Sequence, residues 1–291
     1  LIPVNRLLVP STIDLHAHTT ASDGTLAPAA LVHEASARGL AVLGVTDHDT
    51  LDGLPEATAA GAALGIIVVP GVELSTTVPQ GEVHVLGYFV DPTDAAFVAR
   101  LRSLADSRRR RIDAVITRLR EEGFDLDRED ILREADAGSI GRPHVARALV
   151  RLGVVKSVGE AFDRFLTRGK PGWVPRERFS PEDAVSLLVA NGALPVLAHP
   201  FSTLGIQEVV DRLVPAGLAG LEVFYGEYTD AQRQQLLRIA DSAGLIPTGG
   251  SDYHGPPHRE GRGLGAGDVP AWIWDRLART SEAARLPQGA S

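Results

Sequence analysis

Thr12-Ile13-Asp14-Leu15-His16-Ala17-His18 is the stretch that decides the fold. Its β-branched and apolar start reads as a strand. On a strand residues i and i+2 share a face, so His16 and His18 point together. Two imidazoles side by side at a strand end can grip one metal ion. Asp23 follows in the loop Thr19-Thr-Ala-Ser-Asp23-Gly and can swing back to the same mouth.

Working outward, six more short apolar runs follow: Ala41 to Asp49, Ile66 to Ser75, Glu82 to Phe89, Leu194 to Pro200, Gly220 to Tyr225 and Ile246 to His254. Helical patterns separate them. Pro28 to Arg38 stops before Gly39 and Pro181 to Asn191 before Gly192, with further helices expected over Ile206 to Pro215 and Asp230 to Ala243. Alternating βα units of this kind predict an α/β sheet or barrel covered by helices. Residues 92–175 break the alternation. They hold no convincing strand, and a long helix is expected over Asp94 to Glu122, with shorter ones over Asp130 to Ala135, His144 to Arg151 and Val158 to Leu166. The expected organisation is therefore barrel over 1–91, an all-helical insertion serving as a substrate lid over 92–175, and barrel again over 176–291.

The composition narrows the chemistry. The 291 residues include no cysteine, which excludes disulfides, thiolate metal sites and cysteine nucleophiles, and leaves nine histidines and 37 acidic residues as metal or acid–base groups. Methionine is also absent. The net charge of −8 argues against a broadly basic surface, but it is unevenly spread. Residues 92–175 carry 17 Lys and Arg against 13 Asp and Glu, and the rest carries 12 against 24. No apolar run approaches the ~20 residues of a membrane helix. The opening LIPVNRLLVP is too short and interrupted for a signal peptide, so a cytoplasmic location and no membrane partner are expected.

The strand ends concentrate the reactive residues. His48 ends the second run in Thr46-Asp47-His48-Asp49, Glu73 lies in the third, His84 in the fourth and His199 in the fifth. Asp252 and His254 close the seventh as another i, i+2 pair. In α/β barrels the βα loops converge at the C-terminal ends of the strands, where catalytic groups gather. Any one of these residues reads equally well as a hydrogen-bonded core histidine or a turn-capping aspartate. The set does not, because each buried carboxylate without a counter-charge costs several kcal/mol. Divalent cations compensate that charge. Histidine and carboxylate without thiolate suit Mn, Fe or Zn, and nine ligands exceed what one ion needs, so two or three ions are expected. Such a cluster makes a nucleophile from water and clamps the oxygens of a phosphoryl transfer.

These motifs, His16-Ala-His18-Thr-Thr-Ala-Ser-Asp23-Gly, Thr46-Asp-His48-Asp, Gly71-Val-Glu73, the His84 strand, Ala198-His199-Pro and Gly250-Ser-Asp252-Tyr-His254, resemble the PHP (polymerase and histidinol phosphatase) family over nearly the whole chain. Within it the chain is most similar to the branch acting on 3′,5′-nucleoside bisphosphates and to the related 5′→3′ exoribonuclease, ribonuclease AM. The resemblance implies a distorted (β/α)7 barrel, and of the three metals Mn is the one expected. It implies that His16, His18, Glu73 and Asp252 hold one ion, that Glu73, His84 and His199 hold a second, and that Asp23, His48 and His254 hold a third.

On the substrate side, Gly141-Arg142-Pro143-His144 and Gly169-Lys170-Pro171-Gly172 are glycine-flanked and basic. Arg142 can bind phosphate bidentately, Lys170 as a point charge, and His144 opens a helix where N–H groups favour anions. Similar segments occur in the resembled phosphatases. Tyr225 and His258 are weaker candidates for stacking on or polarising a substrate. His33 reads as structural, and Arg108 to Arg111 as a mostly solvated surface, since three of its four members cannot share one face. The expected reaction is in-line attack on phosphorus by a metal-bridging hydroxide, releasing the 3′-phosphate of a nucleoside bisphosphate. The alternatives are 5′→3′ trimming of short RNA and a non-catalytic PHP scaffold module. No obligate protein partner is evident.

Overall fold

Seven strands form one sheet in chain order: β1 (Ile13–Asp14), β2 (Val42–Val45), β3 (Ile67–Val78), β4 (Gly81–Tyr88), β5 (Leu194–Leu197), β6 (Gly220–Tyr225) and β7 (Ile246–Gly250). This computed structural model describes residues 12–78, 81–134, 140–175, 178–203, 205–256 and 261–285. Neighbouring strands are parallel except β4, which is antiparallel to both β3 and β5. The sheet curls until its ends meet. The Leu15 N–H donates to the Gly249 carbonyl at 3.3 Å, and Ala17 bridges to Tyr253, so the barrel is nearly closed. Gly250 permits that closure, since a Cβ there would run into the backbone and Cβ of His16.

The strands alternate between two cores. Leu43 and Val45 of β2 and Leu221 and Val223 of β6 face a cluster shared with the outer helices. Val42, Val69, Leu86 and Val196 face the barrel interior. The outer helices are α1 (Pro28–Ala37), α2 (Leu54–Leu64), α7 (Pro181–Ala190), α8 (Ile206–Leu213) and α9 (Asp230–Ser242). Ile273 and Leu277 of α10 (Ala271–Arg285) pack with the first residues of several strands and seal the N-terminal end. The opposite mouth is left for the reactive residues.

One expectation changes. The third and fourth runs form a β3–β4 hairpin, because the few residues between them are too short for the crossover that parallel strands need. Helices α2 and α10 follow the second and seventh runs, where the alternation calls for helices but no bounds stand out in the sequence. Leu54–Leu64 is alanine-rich and only weakly amphipathic, burying Leu54, Ala57 and Gly61, so its helicity follows from propensity more than from pattern.

Between β4 and β5 run α3 (Ala95–Glu121), α4 (Arg128–Glu134), α5 (Arg142–Arg151) and α6 (Val158–Ala161), the last continuing as a π turn over Phe162–Leu166. α3 serves two cores. Phe97, Leu101 and Leu104 pack with the barrel cluster, whereas Ile112, Val115, Ile116 and Leu119 join Leu149 and Leu166 in a separate cluster of the helical segment. Asp94 caps α3 by accepting from the Ala96 and Phe97 N–H groups. Among the described residues, no helix is long and apolar enough to cross a membrane.

Candidate metal centre

The nine residues singled out at the strand ends converge on the barrel mouth around Glu73. Its Oε1 lies 2.8 Å from His84 Nδ1 and 3.0 Å from His199 Nε2. Its Oε2 lies 3.3 Å from His16 Nε2, 3.2 Å from His18 Nε2 and 3.3 Å from His48 Nδ1. Asp252 Oδ1 closes the first group, 3.4 Å from His16 Nε2 and 3.2 Å from His18 Nε2. Asp23 gathers the rest, with Oδ1 3.3 Å from His254 Nε2 and Oδ2 3.9 Å from His48 Nε2.

Among the described residues three sets of donor atoms, each within 4.8 Å of one another, result: His16, His18, Glu73 and Asp252; His48, Glu73 and His84; and His18, Asp23, His48 and His254. The first set is the one the family resemblance implies. The third gains His18, and His48 stands between the second and third while His199 flanks the second through Glu73. These donors fit divalent cations. They are oxygen and imidazole nitrogen only, and His18 Nδ1 is buried, has no hydrogen-bond partner among the described residues and points toward Asp23 Oδ1 at 3.8 Å.

The mouth is shaped by strained backbone and buried acids. Asp49, His199 and Asp252 adopt positive φ of 54°, 25° and 53°, conformations that non-glycine residues hold only where surrounding bonds fix them. For His199 that bond runs from its N–H to Glu222 Oε2, at 2.6 Å. Glu222 Oε1 accepts from His16 Nδ1 at 2.9 Å, which directs the His16 Nε2 lone pair into the cluster. The Asp252 carbonyl does the same for His254, taking Nδ1–H at 2.8 Å. Asp47 orders the loop before Asp23, accepting from the Thr19 N–H at 2.8 Å and the Ser22 hydroxyl at 2.6 Å. Asp14 ties β1 to the end of β7 by accepting from the Ser251 N–H at 2.9 Å and hydroxyl at 2.6 Å.

The histidines and carboxylates of the cluster shift one another's pKa values. Burial alone would raise the pKa of Glu73, but the imidazoles of His48, His84 and His16 outweigh it and hold the carboxyl well below its usual range. Asp252 and Asp23 are depressed against burial in the same way, by His16 and His254 and by His254 and His48 respectively. Burial would lower His18 and His84, yet their carboxylate partners push them up to about 10 and about 9. His48 goes the other way, with burial lowering it to about 3. A divalent cation would compensate the same carboxylates and compete with protons for the same imidazoles.

Beside the cluster opens a cavity of about 640 Å³, with His84 and His199 on its wall together with Arg111, Arg142, Arg168 and Trp173. Arg142 donates to Glu82 at 2.7 Å and to the Leu166 carbonyl at 3.2 Å. The other substrate-side candidates sit differently. His144 is buried, with its Nδ1 accepting from the Gly141 N–H at 3.1 Å as part of the α5 cap, and Lys170 is exposed on a nearby turn. Tyr225 is buried, and its hydroxyl donates to Asp252 Oδ2 at 2.9 Å, a bond shared by Arg262 at 2.8 Å, so its ring is not offered for stacking. His258 lies outside the described residues.

The run Arg108 to Arg111 is not uniformly solvated. Arg109 is 50% exposed, but Arg108 and Arg111, three apart and so on one helix face, are only 11% and 9% exposed. Arg108 pairs with Asp49 and donates to Ser75, whose hydroxyl lies 3.3 Å from His48 Nδ1. Glu222 also escaped the sequence reading. The one signal for it is a lone acid inside the apolar strand Gly220–Tyr225.

A nearly closed barrel with clustered histidine–carboxylate donors at its C-terminal mouth and an arginine-lined cavity beside them defines a metal-dependent hydrolase. A family model of the PHP domain matches residues 14–149. The chain is 37% identical over 251 residues to a 3′,5′-nucleoside bisphosphate phosphatase of Chromobacterium violaceum, covering 84% of this chain and 88% of that one. It is 34% identical over 282 residues to the 5′-3′ exoribonuclease Rnm of Escherichia coli, covering 92% and 96%. A crystal structure described as a metal-dependent phosphoesterase of Bifidobacterium adolescentis superposes with a TM-score of 0.82 at 30% identity, covering 91% and 95%. The chain belongs to the PHP family and is a metal-dependent phosphoesterase.

Proposed function

We propose that this enzyme removes the 3′-phosphate from nucleoside 3′,5′-bisphosphates, such as adenosine 3′,5′-bisphosphate, leaving the 5′-monophosphate. One observation carries the reading: the Glu73-centred donors open directly into a cavity walled by arginines. The nine residues His16, His18, Asp23, His48, Glu73, His84, His199, Asp252 and His254 would hold two or three divalent ions, with Mn expected and Fe or Zn as alternatives. Bound there, the ions would supply an activated water and neutralise the charge developing on the leaving 3′-oxygen.

The chain's own residues supply orientation. Arg142 and Arg111 stand 2.7 and 3.9 Å from Glu82, so a substrate phosphate would compete with Glu82 for both guanidinium groups. His84 stands between Glu82 and Glu73, 3.9 Å from one and 2.8 Å from the other, and with His199 would bring the scissile phosphate against the cluster. His144 would act by holding the start of α5, and hence Arg142, in place. Lys170 stays in the proposal as an exposed charge on the turn between Arg168 and Trp173, which line the cavity.

Purified protein loaded with Mn²⁺ is expected to release inorganic phosphate from adenosine 3′,5′-bisphosphate. No release with the metal content verified would overturn the proposal. A second reading, 5′→3′ removal of nucleotides from short RNA, is favoured by the likeness to the Escherichia coli exoribonuclease. A 5′-phosphorylated oligoribonucleotide followed by length over time tests it, and the same cluster would serve both reactions.

A further inference from the structure

We propose that Trp173 is the stacking platform for the substrate's nucleobase, so that the cavity selects a nucleotide over other phosphate esters without selecting one base. The inference rests on the nucleotide reading above. Trp173 is half-buried and lines the same cavity as His84 and His199, the only Phe, Tyr or Trp on that wall among the described residues. Its position is not explained by packing. Neighbouring Val174 packs onto the helical segment's core, whereas Trp173 belongs to none of the hydrophobic clusters formed among the described residues.

The backbone beneath the ring is fixed. Arg118 Nη1 donates to the Trp173 carbonyl at 2.6 Å, Arg111 Nε to the Val174 carbonyl at 2.8 Å, and the Gly172 N–H to the Phe165 carbonyl at 2.9 Å. Gly172 lets the strap lie flush on α3, since a Cβ there would stand 2.9 Å from Leu119 Cδ2 and 3.1 Å from the Phe165 carbonyl. An aromatic side chain on anchored backbone, lining the cavity together with arginines, matches the two chemistries of a nucleotide, a π surface and an anion. Stacking tolerates any base because each presents a π face. The cavity, at about 640 Å³, is of a size to enclose one small ligand.

The test compares kcat/KM for adenosine 3′,5′-bisphosphate and for ribose 3,5-bisphosphate, which lacks the base, in wild type, Trp173→Ala and Trp173→Phe. Trp173→Ala is expected to lower the nucleotide-over-sugar ratio about ten-fold, and Trp173→Phe to keep it near wild type. An unchanged ratio in Trp173→Ala would overturn the inference, as would an equal loss on both substrates. Quenching of tryptophan fluorescence by AMP supplies a second readout. Quenching lost in Trp173→Phe but kept in Trp272→Phe supports stacking, and quenching retained in Trp173→Phe refutes it. A wild type that hydrolyses neither bisphosphate strikes at the nucleotide reading itself, a result distinct from either of these.

Discussion

Replacing Glu222 by Gln is the sharpest probe of the cluster, because it changes one atom of a buried group that no substrate touches. Both carboxylate oxygens are committed as acceptors, Oε1 to His16 Nδ1 at 2.9 Å and Oε2 to the His199 N–H at 2.6 Å. A glutamine offers one acceptor and one donor, so one of these bonds must fail. If the amide oxygen stays with His199, the NH2 group faces His16 Nδ1 and forces it to accept. The ring proton then moves to Nε2, the nitrogen that faces Glu73, His18 and Asp252. If the amide oxygen turns to His16 instead, the buried N–H of the strained His199 is left unpaired, at about 1–3 kcal/mol. Either way the cost lands on the metal donors, and partners of this type are worth roughly 10–100-fold in metal affinity. Titrating metal-free Glu222→Gln with Mn²⁺ by calorimetry should show weakening in that range with the folded state intact by circular dichroism. Affinity within two-fold of wild type would refute the claim that Glu222 sets the His16 tautomer.

Metal binding should release protons at neutral pH, because His18 and His84, raised to about 10 and about 9, must give up protons to become ligands. Calorimetry in two buffers of different ionisation enthalpy measures the release, and a value of zero at pH 7 would contradict it. The same shifts fix the sign of the pH dependence of the metal-free fold. Both folded pKa values lie above the unfolded value near 6.5, so their stabilisation is complete below pH ~6.5 and is lost as pH rises through about 9 to 10. Urea midpoints of the chelated protein should therefore fall across that window. Arg108→Ala strips the buried Asp49 of its cation and should cost about 3 kcal/mol in denaturation, whereas Arg109→Ala, at an exposed pair, should cost less than about 0.5 kcal/mol. Equal effects of the two would restore the reading of the run as solvated surface.

The reactive residues of the barrel mouth were legible because strand geometry fixes which neighbours share a face, and because histidine and carboxylate recur at run ends from Asp14 to His254. What the sequence hides is reach. Arg108 and Arg111 contact residues about 30 positions or more away, Ser75 and Glu82 among them, and no local pattern marks two members of a four-arginine run as buried. Glu222 sits inside a strand buried on both faces, so the alternation that would place a polar residue outward does not apply. Tyr225 looked available for a ligand because its ring stands at a strand end, but a buried hydroxyl needs a partner and Asp252 provides it.

The reversed strand β4 has a consequence for how the two halves of the site meet. Running against its neighbours, it brings His84 to the mouth near its start and delivers the chain at Tyr88 to the sealed end. α3 must then climb back along the outside of the barrel. Its 27 residues rise about 40 Å, enough to pass the barrel wall and arrive at the rim with Arg108 and Arg111 before the second core begins at Ile112. The helix is a ruler. One added residue between Leu104 and Arg108 would turn both arginines by about 100° and lift everything above them, so the height of the cavity roof over the cluster is written in the length of a helix that holds none of its ligands.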